Sequence, residues 1–543
     1  MPVGGCVDSC GFIPLSQRTW LTTMTAPTTS DKRPALTPLV AVSPVIAFVG
    51  LVLWNIVHKT VWVDEMYAFV TSANHSLAET ASRAVHFDLQ PPLYYLLLNL
   101  WLRLSPTVAA GRVLSLICAA AAVALVPVTA RRAGIKHPIW ALWLVAASPA
   151  VIWSGAELRG YAFGLLLVSL ANLLFVEIAF GEPKRPRLTA VAYGVTALLC
   201  VLTYYYAGLV LLGHAVAALI WKPLRRKAGV PLGLAAVAFL PFLPTARWQA
   251  ATYHNPLMQY QDGYHIRHHF YHAILSWAVL MSGRSPDVEL PMSRMVMFLV
   301  FVLPVAVWVL VRLTKTRGSA AMNTGSGGLE PVLVLGIVVL IPAIGWAFIR
   351  TSTILLIEPR HMVLAWPISL LWLMLVFDSL PWSRASVVGW GAVLAFSLVS
   401  TVVDERDGVD TGPSLTLTWQ YAGWDSVAAF LARRAKHDEP VLVNPPYQTL
   451  PFDYYYKSAS PVVSVPAPLV TDRDDRPAYL IHDTAQLAAS FELANKASSF
   501  WVVEGPSDTL AEQKLLDDYI ANHYSPVVDS QIAKVRVRQM VKR

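Results

Sequence analysis

Asp64 and Glu65 lie side by side in the stretch Trp62-Val63-Asp64-Glu65-Met66-Tyr67, a few residues past the first long apolar run, Thr37 to Val57. Two carboxylates held at the end of a membrane-length segment are costly to keep partly desolvated, so they are rarely idle. A carboxylate beside a low-dielectric wall can accept a proton from a hydroxyl as a general base. The bland reading of the pair is a solvated acidic loop. What speaks against it is the company the pair keeps at the ends of other apolar runs. Asp88 and Gln90 follow shortly, with His86 close by. Further on come Glu157-Leu158-Arg159-Gly160-Tyr161, then Tyr204-Tyr205-Tyr206, then Glu358-Pro359-Arg360-His361. Arginine offers paired donors that match a phosphate, where lysine offers a point charge. Segments far apart in sequence would thus bring carboxylates and guanidiniums to one membrane face.

The elements that must position these residues are membrane helices. The chain has 543 residues, 55% hydrophobic and only 14% charged, with a mean hydropathy of +0.50. Soluble domains carry roughly 25% charged residues. The 19 Trp and 20 Tyr suit interfacial belts. The net charge of +8 resides in short loops between apolar runs, which speaks for topology and against a nucleic-acid partner. Cys6, Cys10, Cys118 and Cys200 show no disulfide framework and no metal spacing. Residues 1–36 are rich in Ser, Thr and Pro and read as a disordered cytoplasmic tail without the apolar segment of a secretory signal.

Apolar runs of membrane length occur near 37–57, 108–130, 138–155, 161–180, 188–204, 206–221, 229–247, 293–311, 331–349, 361–377 and 385–403. That is about eleven spans, with a range of roughly nine to thirteen. Basic clusters at Arg131-Arg132, Lys184-Arg185, Arg225-Arg226-Lys227 and Arg312 to Arg317 are each separated by two spans, as cytoplasmic loops should be. This places the N-terminus inside, and segments 58–107 and 248–292 outside. Pro91 to Leu104 is too short to cross and reads as a helix along the outer interface. After residue 403 charged residues return. Short β-rich runs at 441–443, 478–481 and 500–503 alternate with helical patterns near 424–436, 484–496 and 508–522. The fold class expected is therefore a polytopic α-helical membrane protein, spanning over 37–403, with a C-terminal extracytoplasmic α/β domain over 404–543.

Taken together, these residues resemble the polytopic glycosyltransferases of the GT-C class, in particular the bacterial branch related to protein mannosyltransferases and lipid A aminoarabinose transferase. The resemblance spans the chain. It is carried by Trp62-Val63-Asp64-Glu65, Asp88-Leu89-Gln90-Pro91-Pro92-Leu93-Tyr94-Tyr95, Glu157-Leu158-Arg159-Gly160-Tyr161, Tyr204-Tyr205-Tyr206 and Glu358-Pro359-Arg360-His361-Met362. Many relatives have His before the two prolines; here Gln90 stands there, with His86 four residues upstream.

The resemblance implies a polyprenyl-phosphate sugar as donor and a lipid, glycan or protein hydroxyl as acceptor, at a bacterial plasma membrane. Asp64 would be the general base, and Glu65 or Glu157 would tune it or orient the acceptor. Arg159 and Arg360 would stabilise the departing phosphate, helped by Tyr161 and His361. Asp88 and Gln90 would line the substrate site, and Tyr94 and Tyr204 could stack on sugar faces. Duller readings stand beside these. Arg159 can snorkel to headgroups, Arg360 can pair with Glu358, and the tyrosine run can be interfacial belt. His254, His265, His268, His269 and His272 crowd one loop, but few acids and no cysteine join them, so an amphipathic helix is the default there. No cofactor is fixed by the residues; related folds differ over a divalent cation. No glycine-rich nucleotide loop is present, which argues against a nucleotide-sugar donor. Two other classes compete, a lipid-linked saccharide ligase or polymerase and a transporter with an outer domain. A transporter would tend to carry ionisable residues at the membrane midplane, where this chain has mainly His214.

Overall fold

A computed structural model of the chain describes residues 38–252, 303, 305–310, 329–352, 359–380, 388–391, 393–395, 397–399, 423–505 and 510–543. The contacts below all lie within one compact unit, Val42–Arg543.

Helix α1 (Pro38–His58) turns by 91° into α2 (Val63–Ser72). Asp64 and Glu65 occupy the first turn of α2, where the helix dipole favours negative charge by about 0.3–1 kcal/mol each. Helix α3 (Leu77–His86) is capped by Ser76 through Glu79 N. Helix α4 (Leu93–Leu102) follows Pro91-Pro92 and has 10 residues, about 15 Å of helix against a hydrocarbon core of about 30 Å. Buried Asn99 ties these elements together: its amide donates to Ser72 O at 2.7 Å, His75 O at 2.9 Å and Thr80 Oγ1 at 3.0 Å.

The long helices follow: α5 (Val108–Arg132), the bent pair α6 (Pro138–Ala146) and α7 (Pro149–Ala156), α8 (Tyr161–Phe180), α9 (Pro186–Thr203) and α10 (Ala207–Ile220). After them come α11 (Lys222–Thr252), α12 (Leu329–Ser352) and α13 (Arg360–Asp378). Among the described residues six helices are long and apolar enough to cross a membrane, or up to eight if each bent pair is one span. The expected run 206–221 is a helix of 14 residues; the expected run 293–311 lies largely outside the described residues, and in 385–403 the described residues 388–391, 393–395 and 397–399 are helical. With no hydrophobic force between helices in lipid, close approach of small residues does the packing. Helix α5 packs on α8, and Ala119 and Ala122 of α5 and Ala162 and Ala171 of α8 are all buried. Gly213 of α10 faces the backbone of α12, where an added Cβ would lie 2.8 Å from Val338 O.

The C-terminal part is a five-stranded sheet in the order β2-β1-β3-β5-β4. Strands β1 (Val441–Asn444), β2 (Val462–Ser464) and β3 (Ser499–Glu504) are parallel. Strands β4 (Tyr524–Ile532) and β5 (Val535–Lys542) form an antiparallel hairpin joined to β3. Alternation along β3 sends Trp501 and Val503 to one core, with Trp424 and Phe452, and Phe500 and Val502 to the other, with Phe491 and Leu516. The strand expected at 478–481 does not form: a 3-10 turn, Arg476–Tyr479, runs into it, and residues 480–481 lie outside any strand. The hairpin escaped sequence reading because β4 mixes polar and apolar residues and fully buries only Tyr524.

Candidate active site

Four acidic side chains converge near the α1–α2 turn, each in a different setting. Glu65 is fully buried. Its oxygens accept from Arg112 Nη2 at 2.6 Å and Nε at 2.8 Å, and Leu158 N donates to Oε1 at 3.0 Å. Glu157 is also fully buried. It is paired with Lys59, and Trp62 Nε1 donates to its Oε2 at 2.7 Å. Burial pushes the Glu157 carboxyl above its ordinary value, while Lys59 pulls it down. A buried charge of this kind persists only when paired and hydrogen-bonded.

Asp88 accepts from Tyr95 OH at 2.6 Å and Arg159 Nη1 at 2.7 Å. Burial pushes its carboxyl up, against the pull of Arg159 and the Tyr95 bond. The next residue, Leu89, has a φ of +53°, a left-handed conformation that non-glycine residues rarely adopt and that must be held by its surroundings. Three hydrogen bonds hold it: Gln90 N to Ala84 O at 2.9 Å, and Gln249 Nε2 to Val85 O at 3.0 Å and Gln90 O at 3.2 Å.

Asp64 differs from the other three. Its side chain keeps 24% exposure, and Oδ2 stands 3.6 Å from Arg360 Nη1. Its backbone carbonyl accepts from Arg159 Nη1 at 3.1 Å, so one guanidinium nitrogen links the Asp64 backbone to the Asp88 carboxylate. Arg360 is 6% exposed, with Cζ 5.5 Å from the Trp62 ring centroid, within cation–π range. His361 stacks on Tyr206 at 4.9 Å and 21°. Tyr161 and Tyr204 meet edge to face at 5.6 Å, each within 6.3 Å of the His361 ring. The structure therefore brings Asp64, Asp88, Arg159, Tyr161, Tyr204, Arg360 and His361 into one neighbourhood. Tyr94 is adjacent, buried, and meets Tyr95 at 5.3 Å and 75°. Gln90 contributes its backbone to the turn. Glu358 and the histidines from His254 to His272 lie outside the described residues. Among the described residues no group of three or more His, Cys, Asp or Glu side chains could hold a metal ion.

Sequence reasoning passed over Lys59, Arg112, Gln249 and Tyr455. Arg112 did leave a signal, as an arginine within the apolar run 108–130. Gln249 and Tyr455 left none. Tyr455 OH pairs with Val61 N at 2.8 Å, just before α2. Arg83 Nη1 donates to Thr471 O at 3.0 Å, and Asp474 N to His86 O at 2.7 Å. Segments of the C-terminal α/β part thus grip the loop that carries Asp64 and Asp88.

No protein-family model and no curated protein matches this chain in sequence. Solved structures do match in fold. The apo crystal structure of ArnT from Cupriavidus metallidurans superposes with a TM-score of 0.52 at 14% identity, covering 92% of this chain and 98% of that one. The same protein bound to undecaprenyl phosphate superposes with a TM-score of 0.50 at 14% identity, over 92% and 97% of the two chains. The fold, apolar helices followed by a small C-terminal sheet, is therefore that of the ArnT structures.

Proposed function

We propose that this chain, whose fold is that of the GT-C class of glycosyltransferases, transfers a sugar from a polyprenyl-phosphate-linked donor to an acceptor hydroxyl. The observation that carries the reading is the pairing of a partly exposed carboxylate, Asp64, with a buried guanidinium, Arg360, at 3.6 Å, while the adjacent acid Glu65 is fully neutralised by Arg112. One acid is left to react and its neighbour is committed to structure. The acceptor oxygen attacks C1 of the sugar with inversion, and its proton passes to Asp64. The bond from C1 to the phosphate oxygen breaks, and polyprenyl phosphate leaves with the electron pair. Charge grows on that phosphate as the bond breaks, and a preorganised donor in a dry site stabilises it by several kcal/mol. Arg360 supplies that donor, with His361 and Tyr161 beside it. Arg159, neutralised by Asp88, fixes the Asp64 backbone. Undecaprenyl phosphate bound to a protein of the same fold supports the donor class.

The basic loops support a plasma-membrane topology with the tail 1–36 cytoplasmic and residues 404–543 on the opposite side, where such donors present their sugars. Lipid, glycan and protein hydroxyls are all acceptors this chemistry accommodates. The test is incubation of the purified protein in liposomes with a panel of radiolabelled polyprenyl-phosphate sugars and delipidated or total membrane acceptors. Label should move to an acceptor from one of these donors. Retention of all label on the prenyl lipid across the panel would count against the reading and favour a ligase or a transporter.

A further inference from the structure

We propose that Arg112 is the positioning residue of this site: it sets the first turn of α2, and with it the direction of the Asp64 carboxylate, without touching substrate. The proposal rests on the assignment of Asp64 as the base. Arg112 is 3% exposed and lies in the second turn of α5, five residues after its Thr107 cap. Its guanidinium makes five hydrogen bonds. Two go to the carboxylate of Glu65. Three go to backbone carbonyls, with Nη1 to Ile56 O at 3.2 Å and Lys59 O at 2.9 Å, and Nη2 to Thr60 O at 3.0 Å.

Those carbonyls are where α1 ends, and a helix end leaves such groups without intrahelical partners. A cation there also complements the negative end of the helix dipole. One rigid planar group therefore joins the end of α1, the start of α2 and the body of α5 across the 91° turn. Consecutive residues on a helix point about 100° apart. With Glu65 pinned inward on Arg112, Asp64 must emerge on a different face, toward Arg360. The backing is close-packed. An added Cβ on the neighbouring Gly111 would lie 2.7 Å from Leu158 Cγ, and Leu158 N is itself bonded to Glu65. A lysine would keep the charge but lose the planar fork that reaches five acceptors at once.

The test compares Arg112→Lys and the double variant Arg112→Met/Glu65→Met with wild type and Asp64→Asn, in full-length protein at matched folded concentration. The double variant replaces a buried ion pair with apolar side chains, a change that buried pairs often tolerate. Arg112→Lys keeps the buried charges balanced and serves if the double variant does not fold. Both should lower kcat by about 100-fold, the scale of a misplaced catalytic group, with donor KM within about threefold of wild type. Wild-type kcat in a folded variant, alongside loss of transfer in Asp64→Asn, would overturn the positioning role alone. So would full rescue by Arg112→Lys, since charge without the fork would then suffice. Transfer by Asp64→Asn would remove the base assignment and this proposal with it.

Discussion

At the scale of single residues, the four acids separate by their partners. Glu65 and Glu157 are enclosed by Arg112 and Lys59, Asp88 is shared between Arg159 and Tyr95, and Asp64 alone keeps an exposed oxygen facing a guanidinium. Two outcomes follow. Tyr95→Phe removes one hydrogen bond to a buried carboxylate and should cost about 1.5–3 kcal/mol, read as a lower thermal midpoint in detergent with a several-fold fall in transfer. An unchanged midpoint would show that the bond carries no stability. Arg360→Lys keeps a charge but loses the paired donors, so kcat should fall by about 100-fold, as on loss of one donor to the developing charge, while the thermal midpoint holds. Much of this was legible in the sequence. Asp64, Asp88, Arg159 and Arg360 are charged residues at the ends of apolar runs, where charge is costly and therefore informative. Their pairing was not legible. Nothing in the order of residues says that Arg112 takes Glu65 or that Lys59 takes Glu157, because those contacts form only when α5 and α7 pack on the α1–α2 turn.

At the scale of elements, the site depends on helix ends meeting at fixed offsets. Gly213 shows how little room there is. A Cβ there would lie 2.8 Å from Val338 O and 3.0 Å from Val338 Cα, both backbone atoms that cannot rotate away. Gly213→Ala should therefore destabilise the packing of α10 on α12 by about 1–3 kcal/mol, measured as a lower thermal midpoint and faster proteolysis. Midpoints equal to wild type would mean that the two helices separate easily. Hydropathy located the long helices well, since α5, α8 and α9 coincide with expected runs. It could not foresee the breaks. The 91° turn before Asp64 and the 57° bend between α6 and α7 are set by packing and by Pro149, inside runs that read as continuous or as simple loops. In the sheet, buried strands such as β1 and β3 announce themselves as apolar runs, whereas the mixed, partly exposed edge strand β4 leaves little trace.

At the scale of the whole molecule, the C-terminal sheet and its helices are fastened to the segment that carries Asp64 and Asp88, through Tyr455, Thr471 and Asp474. The proposed topology puts both on the side of the membrane opposite the basic loops. A single cysteine at Lys496, whose side chain is 68% exposed, should react with a membrane-impermeant maleimide in intact cells. One at Lys184 should react only after permeabilisation. Cys6 and Cys10 are replaced by serine in both variants, and the reverse labelling pattern would invert the topology. In the proposed reaction Asp64 takes the acceptor proton. The direct measurement is transfer of label from a radiolabelled polyprenyl-phosphate sugar to acceptor in membranes, for wild type and Asp64→Asn at matched expression and equal thermal midpoint. Wild type should transfer label, and the variant should lose at least about 100-fold, the scale of general-base catalysis. Equal transfer by the two proteins would contradict this role of Asp64.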